Sequence, residues 1–289
     1  MENVLEIEGL CKHYPEFSLK DVSFALPKGY IMGFVGQNGA GKTTTIRTIL
    51  NMAHMDSGSV KIFGLDSVKD DVKIKQDIGV VYDDLYFASH LNAKQIESQI
   101  KGFYANWDSR QYYTYLEKFN LPKNKKVGSF SKGMKMKFML ATALSHNAKV
   151  LILDEPTSGL DPVARDELLD ILAEYIQDEE RSILFSTHIT ADLERIADYI
   201  TILHDGKVFY SGTKDELMEK YVVIKGANEN LTKDLQEKTI GSHMYRNGFE
   251  AMLAKEYINE LTPDIDYEKA SIDDILVYIA KEAAHEKRN

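Results

Sequence analysis

The segment Gly36-Gln37-Asn38-Gly39-Ala40-Gly41-Lys42-Thr43 constrains the fold of this chain more than any other. Two glycines with four residues between them, followed by Lys and Thr, fit the phosphate-cradling pattern G-x-x-x-x-G-K-[ST]. Upstream, Tyr30 to Val35 is a short apolar run suited to a buried strand, and Thr43 to Met52 reads as the opening of a helix. Gly36, Gly39 and Gly41 let the backbone curl so that its N–H groups point inward at phosphate oxygens. The helix N-terminus adds partial positive charge, Lys42 can reach β- and γ-phosphates, and Thr43 offers a hydroxyl to Mg²⁺. Residues 36–44, Thr44 included, are the expected nucleotide cradle.

Other short apolar runs share the character of a sheet buried on both faces. Lys149 to Leu153, Ser182 to Ser186 and Ile200 to Leu203 each adjoin a helix-like segment, which predicts β-α-β crossovers and parallel strands. Val4 to Leu10, Ser18 to Leu26 and Ser57 to Gly64 read as further strands, separated by turn signals at Pro15 and Pro27-Lys28-Gly29. Residues 85–145 turn helical in pattern. His204 to Tyr210 reads as a hairpin with an Asp-Gly turn. Past Tyr221 the character changes to mixed short segments and a closing helix from Ser271 to about Ala284. The expectation is therefore a main α/β domain over 1–220, with an inserted helical subdomain, and a small α+β region over 221–289.

Composition narrows the function classes. A net charge of −10 argues against general affinity for nucleic acid or anionic membrane. The lone Cys11 excludes a disulfide framework and fits a reducing compartment. No apolar run reaches 18 residues, and the acidic N-terminus does not read as a signal peptide. A cytoplasmic location is expected.

Val150 to Leu153 is followed by Asp154 and Glu155. Mg²⁺ bridging phosphates needs a hard anionic ligand, or a water held by one, and Asp154 suits that role. Glu155, one residue on and pointing elsewhere, can polarise an attacking water as general base. Ser131 reads as the N-cap of a helix from Lys132 to Leu144.

With these residues in view, the chain resembles the nucleotide-binding subunit of ATP-binding cassette transporters over about residues 1–220. Phe130-Ser131-Lys132-Gly133-Met134 stands where that family carries its L-S-G-G-Q signature. Ser158-Gly159-Leu160-Asp161 matches its D-loop, and His188 its switch histidine. The resemblance implies a P-loop NTPase core with a mostly parallel sheet, an N-terminal antiparallel β subdomain, an inserted helical subdomain and a small C-terminal α+β appendage. It implies ATP as the nucleotide, with catalytic roles for Lys42, Glu155 and His188. It further implies that Ser131, Gly133 and Asp161 serve the ATP held by a second copy or a homologous subunit. Tyr14 stands where the family places an aromatic on adenine.

Two departures stand out. The family's lid glutamine is replaced in Ile78-Gly79-Val80-Val81-Tyr82-Asp83-Asp84, where Asp83, or Asp84 on a slipped register, takes its place near Mg²⁺. Lys132 replaces the first glycine of the signature, and Met134 its glutamine. The stretch from Asp83 to Phe103 corresponds to the groove that receives a membrane subunit. A separate permease is expected as partner, and Ser271 to Ile279 resembles the closing helix of subunits paired with ABC-2-type export permeases. The rival expectation is a soluble cassette ATPase with a regulatory role; such proteins usually carry two cassettes or long coiled-coil inserts.

Overall fold

The run before the glycine-rich loop forms β3 (Ile31–Val35), every residue buried. It pairs in parallel with β8 (Ser182–Thr187) on one side and β9 (Tyr199–His204) on the other. β7 (Val150–Asp154) is parallel to β8, and β6 (Ile78–Val81) is parallel to β7. With β10 (Lys207–Thr213) at one edge, the order of this sheet is β10-β9-β3-β8-β7-β6. Strands this apolar cannot leave a face in water, so both sides must be covered. The computed structural model describes residues 2–286 of the chain. Asp205 and Gly206, with φ of 46° and 77°, turn the chain from β9 into β10, the conformation an Asp-Gly hairpin requires.

The crossovers supply α1 (Lys42–Ile49), α6 (Pro162–Tyr175) and α7 (Thr190–Ile196). A second, antiparallel sheet combines β1 (Asn3–Tyr14), β2 (Phe17–Pro27), β4 (Ser57–Ile62) and β5 (Leu65–Asp66) in the order β2-β1-β4-β5. Leu5, Leu19, Phe34, Ile46 and Ile152 belong to one core cluster that joins the two sheets. Burying each such side chain contributes roughly 1.5–3 kcal/mol. A short α2 (Asp71–Lys75) leads into β6.

Between β6 and β7 the expected helical stretch resolves into α3 (Ala93–Ile100), α4 (Ser109–Lys118) and α5 (Lys132–Leu144). Their starts are set by side-chain caps. Asn92 and Gln95 form a capping box, Asp108 accepts from Gln111 N, and Ser131 accepts from Met134 N. Tyr112, Leu116, Phe130 and Phe138 give this subdomain its own core. The expected α/β class, with a mostly parallel sheet beside an antiparallel one, is the class observed.

The chain divides into two compact units between Phe209 and Tyr210, ahead of the break near 220 expected from composition. In the second unit α8 (Lys214–Lys220) packs on β11 (Tyr221–Gly226). β12 (Thr239–Met244), β13 (Phe249–Ala254) and β14 (Asp266–Lys269) complete an antiparallel sheet of order β12-β13-β11-β14, with a short α9 (Lys233–Lys238) preceding β12. The closing helix α10 (Ile272–Glu286) is capped by Ser271, whose hydroxyl accepts from Asp274 N. It lies against β12 at Gly241, where a Cβ would stand 2.2 Å from the Tyr278 carbonyl oxygen.

Candidate functional site

β3, β7 and β8 run parallel, so their carboxyl ends share one edge of the sheet, the edge where open α/β sheets bind ligands. The loop after β3 has the shape its glycines allow. A Cβ on Gly36 would stand 2.3 Å from the Leu203 carbonyl oxygen, so no side chain fits there. Gly41 caps α1 at φ 111°, and a Cβ on it would meet Phe17 and Leu19, each at 2.6 Å. Gly39 adopts φ 84°. Ala40 N bonds back to the Gln37 carbonyl at 3.0 Å, which closes a tight turn ahead of α1.

Lys42, the first residue of α1, is buried. Its Nζ donates to the Gly36 carbonyl at 2.7 Å and lies 3.2 Å from Glu155 Oε1. Glu155 follows β7 with φ 53°, a left-handed backbone that a non-glycine residue adopts only under local constraint. Its other oxygen, Oε2, is 2.6 Å from His188 Nδ1 and accepts from the His188 amide at 3.3 Å. The ends of β3, β7 and β8 thus deliver Lys42, Glu155 and His188 into one cluster.

Beside them Asp154 is 5% exposed, and its Oδ1 has no hydrogen-bond partner among the described residues. Burial pushes its carboxyl pKa up, against the pull of the Thr43 and Ser186 hydroxyls; the charges of Glu155 and Asp83 push further upward. A buried carboxylate oxygen without a donor, next to the Thr43 hydroxyl, is a donor set that fits a hard divalent cation.

Lys42, Thr43, Glu155 and His188 open onto a cavity of about 750 Å³ whose lining also includes Gln37, Asn38, Gly39, Gly41, Thr44 and Asp83, with Asp154 buried outside that lining. Gly36 and Ala40 are buried behind it. Asp83 rather than Asp84 faces the cavity; Asp84 spends its carboxylate on the Leu85 amide at 2.7 Å. Tyr14 is not in the lining. It is 45% exposed, with Lys12 Nζ 5.4 Å from its ring centroid. The aromatic that does line the cavity is Phe17, which sequence reasoning passed over although it pairs with Tyr14 across the hairpin.

Ser131, Gly133 and Asp161 lie outside the cavity lining. Ser131 accepts from Met134 N at 3.3 Å at the tip of α5. Asp161 caps α6, accepting from Val163 N and Ala164 N at 3.1 and 3.0 Å. A Cβ on Gly133 would stand 3.1 Å from Ala164 Cβ, so the α5 tip and the start of α6 approach closely. Lys132 extends its ammonium to within 3.0 Å of where a Gly159 Cβ would be.

A glycine-rich loop closing onto α1, with a buried lysine and a carboxylate-bearing parallel strand beside it, defines the P-loop nucleotide-binding class. The ABC transporter family matches over residues 19–158. ABC transporter ATP-binding protein NatA of Bacillus subtilis (strain 168) is 34% identical over 221 residues, covering 70% of this chain and 84% of its own length. Bacitracin transport ATP-binding protein BcrA of Bacillus licheniformis is 32% identical over 254 residues, with 85% and 82% covered. A solved ATP-binding subunit of an ABC transporter superposes with a TM-score of 0.67 at 29% identity, covering 74% of this chain and 91% of that one. The chain belongs to the ABC transporter family as an ATP-binding subunit, and it is an ATPase. Among the described residues no helix is long and apolar enough to cross a membrane.

Proposed function

We propose that this chain hydrolyses ATP between two copies and passes the resulting motion to a separate export permease. Residues 36–44 hold the triphosphate, with Lys42 on its β- and γ-oxygens. Asp154, Thr43 and Asp83 would hold Mg²⁺, which when bound neutralises charge developing on the phosphates. Glu155 acts as general base toward the attacking water, and His188 donates to the γ-phosphate. Ser131, Gly133 and Asp161 serve the ATP of the opposing copy. Tyr14 was the expected adenine platform; Phe17, on the cavity wall, is the stronger candidate.

The observation that carries this reading is the Lys42–Glu155–His188 cluster, with Glu155 held 3.2 Å from one and 2.6 Å from the other. Without nucleotide, Glu155 neutralises Lys42. An arriving triphosphate competes for the same ammonium, and its capture frees the carboxylate for water. The catalytic base is thereby released by the substrate it acts on.

Coupling to a permease is supported by a second, apolar hollow of about 260 Å³ beside β6 and the helical subdomain. Tyr82, Tyr86, Phe87, Ile100, Phe103 and Tyr104 line it, and Phe103 is 74% exposed. Such a surface suits a short amphipathic helix from a membrane subunit. Partnership with a permease places the chain on the cytoplasmic face of the membrane. Similarity to a bacitracin transport ATP-binding protein supports export of a peptide, drug or lipid. The test is ATPase activity in liposomes with and without a co-reconstituted ABC-2-type permease. Stimulation by the permease, lost on Phe103→Asp, is expected; permease-independent activity in both forms would contradict the coupling.

A further inference from the structure

The elements carrying Glu155 and His188 are tied together by a side chain with no part in the scheme above. Asp192 lies on α7, four residues beyond His188, and is fully buried. Its Oδ2 accepts from the Thr157 hydroxyl at 2.7 Å, and its Oδ1 accepts from Arg165 Nε at 2.5 Å. Thr157 is itself buried and follows Glu155 by two residues; Arg165 stands in the first turn of α6, four residues past Asp161. One carboxylate therefore grips the loop between β7 and α6 at both of its ends, from the helix that follows His188.

Few other bonds hold that loop. Ser158 N reaches the Glu155 carbonyl and Leu160 N the Thr157 carbonyl, both at 3.2 Å, and both are internal to the loop. Glu155 N bonds to the Ser186 carbonyl at 3.0 Å and anchors the start of the loop to β8, but neither internal bond fixes Thr157 to Asp161 relative to His188. Two bonds to one buried carboxylate do, since they set position and rotation together. Breaking either leaves a desolvated charge short of a partner, so the arrangement resists distortion.

We propose that Asp192 is a positioning residue for ATP hydrolysis, holding the Glu155 turn and the Ser158–Asp161 loop in fixed register with His188 through Thr157 and Arg165. This rests on the reading of Glu155 as general base. The left-handed turn at Glu155 leaves its carboxylate sensitive to small shifts of the residues after it, and misplacement on the order of 1 Å can cost about a hundredfold in rate. Because Asp161 rides on the same tether, docking of a second copy against this loop is felt at His188.

The test compares Thr157→Val, which removes the hydroxyl at constant shape, with Thr157→Ser, which keeps it, and with Asp192→Asn, all in the full chain. Steady-state kcat and KM for ATP are measured beside melting temperature, with Glu155→Gln as reference. Thr157→Val is expected to lower kcat about tenfold, equivalent to about 1.4 kcal/mol, with KM within twofold. Thr157→Ser should retain kcat, and Asp192→Asn should lose more than Thr157→Val. Wild-type kcat in Thr157→Val, or an equal loss in Thr157→Ser, overturns the proposal, as does a loss that tracks only the folded fraction. An inactive Glu155→Gln beside an unaffected Thr157→Val sinks this inference alone, whereas wild-type turnover by Glu155→Gln sinks the base assignment and this proposal with it.

Discussion

Replacing Asp154 by Asn should stabilise the nucleotide-free chain while removing its response to Mg²⁺-ATP. Asp154 is almost fully buried, and its Oδ1 lacks a hydrogen-bond partner among the described residues. An unsatisfied buried group of this kind costs about 1–3 kcal/mol, and more when charged. The Asn amide keeps the volume and can donate to the neighbouring Thr43 or Ser186 hydroxyl. For a unit of this size each kcal/mol moves Tm by about 2–4 °C, so the gain is about 2–12 °C. The pH dependence has a definite sign. A carboxyl whose folded pKa is raised loses stability as pH climbs from its ordinary 3.8 through the folded value. The gap between variant and wild type therefore opens as pH rises through the folded value. Scanning calorimetry from pH 5 to 8, with and without Mg²⁺-ATP, reads both effects. Wild type gains about 2.7 kcal/mol from ligand at a hundred times Kd, and the variant gains little. A nucleotide-free variant that melts at or below wild type at pH 7 would refute the reasoning.

Two further outcomes follow from the geometry of the loop and the hairpin. Gly36→Ala forces a Cβ to within 2.3 Å of a backbone oxygen, whereas Gly39→Ala meets no atom within 4 Å but must hold φ 84°. Urea denaturation should find Gly39→Ala destabilised by about 1–2 kcal/mol, and Gly36→Ala by more; the reverse order would refute the placement. Phe17→Ala should weaken a fluorescent ATP analogue several-fold, on the order of 1 kcal/mol of lost stacking, with Tyr14→Ala nearly silent; equal losses would return the platform to Tyr14.

What the sequence disclosed and what it hid divide along physical lines. The glycine-rich loop between β3 and α1 was legible because its geometry is dictated locally, by positive φ at Gly39 and Gly41 and by crowding at Gly36. The central strands were legible because burial on both faces leaves continuous apolar runs. β14 was not, since all four of its residues are exposed and carry no alternating pattern. The choice between Tyr14 and Phe17 depends on how β1 twists into the hairpin, and the register of β1 on β2 shifts between Leu10 and Lys12. The tether at Asp192 joins residues 27 and 35 positions apart, so no local pattern marks it. Arg165 stands one turn past Asp161, and nothing in its local pattern marks its reach back to α7.

The account turns on one copy completing the site of another, and the oligomeric state of Glu155→Gln tests that most directly. Sedimentation velocity of this variant, with Mg²⁺-ATP and with Mg²⁺-ADP, separates the cases. A dimer with ATP that dissociates with ADP, and that Ser131→Arg abolishes, is predicted. A strict monomer at high concentration with ATP, alone and in the presence of the permease, would contradict it.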